Sequence, residues 1–222
     1  MLIKKRKFKF LRDIFIRARY EETLSKSIAD IIKRNCKKKK IKILDFGSGI
    51  EPSLIQSIKN KLSKASINVT SHGFDLYEKD QINKLNNKSK NEFYFHTNKL
   101  INSTEIYDFV IISDVLHHMD IENLNLIKDT IKKLKLRSKY LIIKDHFQYG
   151  FFSNQIIRLM DFFGNLNSNI RTPKKYFSKE NFTNLIENLN LKIKYEILDN
   201  RYHPNFLPIF NNPKYHFIYL LE

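Results

Sequence analysis

The stretch Ile41-Lys-Ile-Leu-Asp-Phe-Gly-Ser-Gly-Ile-Glu-Pro-Ser-Leu-Ile55 decides the fold. Ile41 to Phe46 is a short apolar run that reads as a buried strand, and it stops at Gly47-Ser48-Gly49. Pro52 and Ser53 then open a helical pattern with apolar residues at Leu54, Ile55, Ile58 and Leu62. Proline suits a first helical turn because its missing N–H would have no partner there. Strand, glycine turn and helix N-terminus together gather backbone N–H groups where a ligand can approach closely. A dinucleotide fingerprint requires a third glycine five positions after the first; that position is Pro52, which argues against NAD or FAD. A phosphate-binding loop would need Gly-Lys-Ser/Thr after four intervening residues, and the sequence has none.

Composition narrows the setting. The 222 residues suffice for one well-cored domain, and 42% hydrophobic content with 18 Phe excludes disorder as the dominant state. The lone Cys36 allows no internal disulfide and no zinc cluster, and no metal ligand set is assigned. No apolar run approaches the ~20 residues of a membrane span. Charges at Arg12, Asp13, Arg17 and Arg19 interrupt any signal-peptide core, so a cytoplasmic location is expected. The net charge is +17, and residues 1–40 carry 15 Lys or Arg against four Asp or Glu, a net +11. Such a region can track nucleic-acid phosphates or an anionic membrane surface. An AT-rich coding sequence, suggested by abundant Lys, Asn and Ile, gives the same surface without any partner.

The organisation reads as a basic N-terminal arm with an amphipathic helical lead-in over 1–40, then one domain over 41–222. Apolar spacing predicts one or two helices between Leu11 and Asn35. A second strand spans Asn68–Phe74 and ends at Asp75, followed by Leu76. A carboxylate there can accept hydrogen bonds from both ribose hydroxyls of a nucleoside, or cap the next helix. A third strand, Glu92–His96, leads to Thr97 and Asn98, and Asn98 could bond an adenine edge. The fourth runs from Tyr107 and ends at Ser113-Asp114, then turns into Leu116-His117-His118; open α/β sheets bind ligands at such C-terminal strand ends. Asp108 reads as a strand start. A helix over Ile121–Leu134 precedes a fifth strand, Tyr140–Ile143, after which come Lys144-Asp145-His146. Ser178 is an N-cap signal, and Leu191–Leu198 and Tyr215–Leu221 read as strands six and seven. The aromatic, proline-punctuated loop Tyr202–Phe210 lies between them.

Asp45-Phe-Gly47-Ser48-Gly49 resembles motif I of the class I S-adenosylmethionine-dependent methyltransferases, with Glu51 replacing the usual third small residue. Asp114-Val-Leu-His-His118, Ile143-Lys-Asp-His146 and Met160-Asp161-Phe-Phe-Gly164-Asn165 strengthen the resemblance over nearly the whole chain. They point to a bacterial branch of the methyltransferase-domain-11 kind. The resemblance implies a Rossmann-like, seven-stranded, mostly parallel sheet with helices on both faces and the last strand antiparallel. It implies S-adenosylmethionine on Asp45, Gly47, Ser48, Gly49, Asp75, Leu76, Asn98, Ser113, Asp114 and His117. Acceptor-side elements are expected at 144–176 and 199–214, with an aromatic such as Phe147 or Tyr149 facing the sulfonium.

If the acceptor is a hydroxyl or acid, a base must stand within hydrogen-bond reach. His146, oriented by Asp145 or Asp161, is the leading candidate; alternatively, Lys144-Asp145-His146 only ties strand to helix. Aromatic residues over 147–163 and 202–210 suit a small-molecule or lipid-like acceptor. RNA 2′-O-methylation is the alternative, with Lys26 or Lys33, Asp114 and Lys144 as three members of a Lys-Asp-Lys-Glu set. That set lacks its Glu, since Tyr215 and His216 occupy the expected place. A catalytically silent cofactor-binding module is a third reading.

Overall fold

The computed structural model describes residues 18–49, 52–75, 82–83, 86, 93–96, 104–119, 121, 124–165, 171–198 and 212–222. The basic arm, Leu76, Asn98 and the loop Tyr202–Phe210 lie outside them. In chain order the elements are α1 (Ala18–Asn35), β1 (Lys40–Phe46), α2 (Ser53–Ser63), β2 (Asn68–Phe74), β3 (Phe93–His96) and β4 (Tyr107–Ser113). A 3₁₀ turn (Leu116–His118), α3 (Leu124–Lys135), β5 (Ser138–His146), α4 (Phe151–Gly164), α5 (Lys179–Asn188), β6 (Ile193–Leu198) and β7 (His216–Leu221) follow.

The strands form one sheet in the order β3-β2-β1-β4-β5-β7-β6. This sheet is mixed, which corrects the expectation of a mostly parallel one. Four of its ladders are parallel and two, β5 with β7 and β7 with β6, are antiparallel, because β7 runs against both of its neighbours. The reversal is therefore internal to the sheet. β7 slots between β5 and the edge strand β6, and its six residues are all buried.

Alternation along each strand sends side chains to opposite faces and so builds two cores. Ile43, Phe109, Ile111, Tyr140, Ile142, Ile218 and Leu220 pack with Leu24, Ile28, Ile32, Ile55, Ile58 and Leu62 of α1 and α2. Leu44, Val110, Ile112, Leu141, Ile143, Phe217 and Tyr219 pack with Ile127 and Ile131 of α3 and Phe182 and Ile186 of α5. The Ser178 hydroxyl accepts from the Asn181 N–H at 3.1 Å, which caps α5 as its sequence predicts. Asp108 sits at the opposite end of the sheet from the strand C-termini, holding the Lys38 Nζ at 2.6 Å and the Lys42 N–H at 2.9 Å.

One boundary differs in an informative way. The sequence ends the fifth strand at Ile143, but β5 continues through Lys144 and Asp145 to His146, paired residue for residue with β7. Lys144 and Asp145 have no exposed surface. Charged residues continue a buried strand only where partners neutralise them, and those partners lie on other elements.

Candidate active site

The C-terminal ends of β1, β2, β4 and β5 form one rim, because all four strands run parallel. Two groups of functional side chains stand on it.

The first lies at β1 and β2. Gly47 leaves β1 at φ +85° and Gly49 follows at φ +66°, backbone conformations that L side chains rarely adopt. A Cβ at Gly47 would lie 2.2 Å from the Val115 Cγ2, so the turn can pass under the β4 loop only without a side chain. The Gly47 and Ser48 N–H groups donate to the Phe74 carbonyl at 2.7 and 3.1 Å, which ties the turn to the end of β2. The Gly49 N–H donates to Asp75 Oδ2 at 2.9 Å. Beside Gly49, the direction of a Cβ is open. Asp45 is buried; that burial, then the charge of Asp75, pushes its carboxyl up to about 7. Two carboxylates, a glycine turn and open space at a strand end fit a nucleoside ligand that carries positive charge.

The second group lies at β4, β5 and α4. Asp114 adopts φ +56°, a left-handed conformation that Asp tolerates, and its N–H donates to the Lys144 carbonyl at 3.0 Å. Its carboxylate takes a hydrogen bond from the Lys144 ammonium, while His146 Nδ1 lies 3.3 Å from Asp114 Oδ1. Burial works to raise the Asp114 carboxyl, but Lys144 and then His146 outweigh it and hold it below the usual carboxylate range.

Asp145 gathers three donors. Oδ1 meets His117 Nδ1 at 2.6 Å and the His146 N–H at 2.7 Å, and Oδ2 accepts the His117 N–H at 3.3 Å. Burial opposes its charge, yet the adjacent His117 holds its carboxyl well below the ordinary range. The converse holds for His117, where burial disfavours the cation but Asp145 and then Asp161 raise it to about 10. His146 differs. Burial, then the neighbouring Lys144, lowers it from its ordinary value, which favours the neutral imidazole. His118 is also lowered, by burial and then by His117.

The sequence-derived residues thus converge with altered pairings. Asp145 touches His146 through the backbone N–H, but its close imidazole partner is His117. Asp161, on α4, approaches His117 Nε2 at 3.7 Å and His118 Nε2 at 3.6 Å, and accepts from Asn165 Nδ2 at 2.7 Å. Ser113 stands at the end of β4 with its hydroxyl 3.3 Å from Asp114 Oδ2. Phe147 is stacked on Phe217 in the core at 4.0 Å between ring centroids, whereas Tyr149 is exposed. Lys33 pairs with Asp30 on the exposed side of α1 at 2.5 Å. His216 on β7 faces His146, with rings 4.7 Å apart. Tyr176, buried with its ring 5.2 Å from that of His117, is a neighbour the sequence did not disclose. A Tyr-Phe pair between two lysines and a helix cap carries no signal of its own.

Comparison with known proteins agrees with this geometry. A family model described as a methyltransferase domain matches residues 20–196, well over half of the chain. No curated protein matches significantly in sequence. Among solved structures, magnesium protoporphyrin IX methyltransferase from Synechocystis PCC 6803, with bound S-adenosylhomocysteine, superposes with a TM-score of 0.59 at 16% identity, over 91% of this chain and 83% of that one. A SAM-dependent methyltransferase from Aquifex aeolicus gives 0.56 at 15% identity, over 97% and 96%. An O-methyltransferase family protein from Burkholderia thailandensis gives 0.56 at 14%, over 89% and 55%. At these identities the likeness shows the fold; the family match carries the assignment. The chain belongs to the methyltransferase-domain family and is a class I S-adenosylmethionine-dependent methyltransferase.

Proposed function

We propose that the enzyme methylates a hydroxyl or acid group of a small-molecule or lipid-like acceptor, with His146 as general base. The observation that carries this reading is the His146 imidazole at this rim, 3.3 Å from Asp114 Oδ1, with burial and Lys144 favouring its neutral form. The cofactor supplies an electrophilic methyl group, and the chain's own work is alignment, desolvation and proton acceptance. Its nucleoside would rest on the Gly47–Gly49 turn with the ribose hydroxyls on Asp75 and the positive charge near Asp45. Asp114, fixed by Lys144, orients His146. Asp145, saturated by its three donors, holds β5 and the His117 turn in register as a positioning residue. Leu76 and Asn98 remain in the proposal as cofactor contacts. The narrower domain-11-like branch rests on the Lys144-Asp145-His146 and Met160-Asp161…Gly164-Asn165 motifs.

The acceptor class is supported by the surface beside the site. Tyr149, Phe151, Phe152, Leu159 and Phe162 are exposed on and before α4. Arg171, Lys174 and Lys175 are exposed on the segment whose Pro173 and Lys174 carbonyls bind Arg158 and Asn154 of that helix. An aromatic face with a basic border favours an apolar acceptor carrying an anionic group. The test is to incubate the enzyme with methyl-labelled S-adenosylmethionine and cell extract, then fractionate. Label in the organic-soluble fraction, lost in His146→Ala, is expected. Label confined to RNA would overturn the acceptor assignment.

A further inference from the structure

We propose that His117, His118 and Asp161 form a binding site for one divalent transition-metal ion of the zinc class. His117 Nε2 and His118 Nε2 lie 3.7 and 3.6 Å from the same oxygen, Asp161 Oδ1. These separations are too long for hydrogen bonds. His117 Nε2 is shut off from solvent and has no hydrogen-bond partner among the described residues, and Asp161 Oδ2 shares both properties. Ligand atoms about 2.0–2.1 Å from a tetrahedral ion lie roughly 3.3 Å apart. Each imidazole nitrogen therefore stands within a few tenths of an ångström of that spacing from the Asp161 oxygen, and all three ligand atoms lie within 4.8 Å of one another.

The outer partners point the same way. His117 Nδ1 faces the Asp145 carboxylate at 2.6 Å, and His118 Nδ1 faces the Arg171 carbonyl at 3.3 Å. A proton on each Nδ1 leaves the lone pair of each ring on Nε2, turned toward Asp161. A carboxylate or carbonyl behind an imidazole is the usual means of fixing a metal-binding histidine. Asn165 Nδ2 donates to the same Asp161 Oδ1 at 2.7 Å and fixes the carboxylate. Two nitrogens and one oxygen suit zinc, iron(II), cobalt(II) or manganese(II) better than calcium or magnesium. The neighbouring group of Asp114 and His146 already has a cation, the Lys144 ammonium. Without a metal, a proton on His117 takes the place of the ion.

Three ligands leave a coordination position for another molecule. Resting on the acceptor reading above, that position would take the acceptor's oxygen, since the His117 and His146 rings are 5.4 Å apart. Binding of the ion does not depend on that reading, and the experiment keeps the two separate. Full-length protein stripped with a chelator is titrated with zinc chloride by calorimetry, and cobalt(II) absorption reports the coordination geometry. The same measurements are made on His118→Gln and Asp161→Asn, whose fold is checked by their S-adenosylhomocysteine affinity. The expected result is one ion per chain, a tetrahedral cobalt spectrum, and affinity lower by roughly 100-fold or more in both variants, because losing an outer partner alone costs about 10–100-fold. Absence of stoichiometric binding, or equal binding in folded variants, would overturn the site. A wild type that binds zinc but turns over equally with and without it would refute only the acceptor contact.

Discussion

The two halves of the rim handle charge in opposite ways. On the β1–β2 side, Asp45 and Asp75 repel one another, and burial with that repulsion drives the Asp45 carboxyl to about 7. On the β4–β5 side Asp114 is matched with Lys144 and the buried Asp145 with His117. The first half gains from a cationic ligand, which S-adenosylmethionine is. The second is neutralised internally and can receive an acceptor without supplying a counter-charge. One side is completed by its ligand; on the other, Asp114 and Asp145 are already paired within the chain.

The largest expected effect comes from breaking the matched side. Asp145→Ala leaves His117 and two N–H groups buried without their acceptor, and should cost about 3–5 kcal/mol of stability by denaturant unfolding. The pH dependence carries the same signature with two opposite limbs. His117 is raised in the fold, so its contribution is full below pH ~6.5 and lost as pH rises through about 10. Asp145 is lowered in the fold, so its contribution is present above pH ~3.9 and lost as pH falls through its folded value. In Asp145→Ala both limbs should flatten.

Next is the division of labour. His146→Ala should cut turnover by roughly 10²–10⁴ and remove the acidic limb of the rate profile. Turnover near wild type would reduce His146 to packing.

A smaller effect is expected on the unmatched side. The raised Asp45 favours the folded state below pH ~3.9 and penalises it as pH rises through about 7. Asp45→Asn should therefore raise the melting temperature of ligand-free protein at pH 8 by about 4 °C, with no gain at pH 4. An equal gain at both pH values would mean that the carboxylates do not repel as described. Deleting residues 1–10 should change least: turnover stays as in wild type and RNA affinity is negligible at physiological salt. Tight, steeply salt-dependent RNA binding lost on deletion would favour RNA as acceptor.

The same contrast explains what could be read from the chain. The β1 turn is contiguous in sequence, so Gly47, Gly49 and the strand limits around them were legible from local pattern alone. Asn68–Phe74 matches β2 end for end, with Asp75 marking where the strand stops. The matched side is assembled across distance. His117 and Asp145 are 28 residues apart, and no local pattern shows which histidine a buried acid selects. Lys144 and Asp145 look like the polar end of a strand until β7 closes over them. The internal place of β7 likewise follows from how the sheet closes, and strand periodicity does not report it.

The central claim is that cofactor and acceptor machinery occupy separate halves of this rim. Calorimetric titration of S-adenosylhomocysteine into wild type, Asp75→Ala and His146→Ala tests it without knowledge of the acceptor. Loss of a hydrogen bond to a charged group corresponds to about 10–100-fold in affinity, and that loss is predicted for Asp75→Ala. His146→Ala should bind as wild type does. Unchanged affinity in Asp75→Ala, or an equal loss in His146→Ala, would contradict the division.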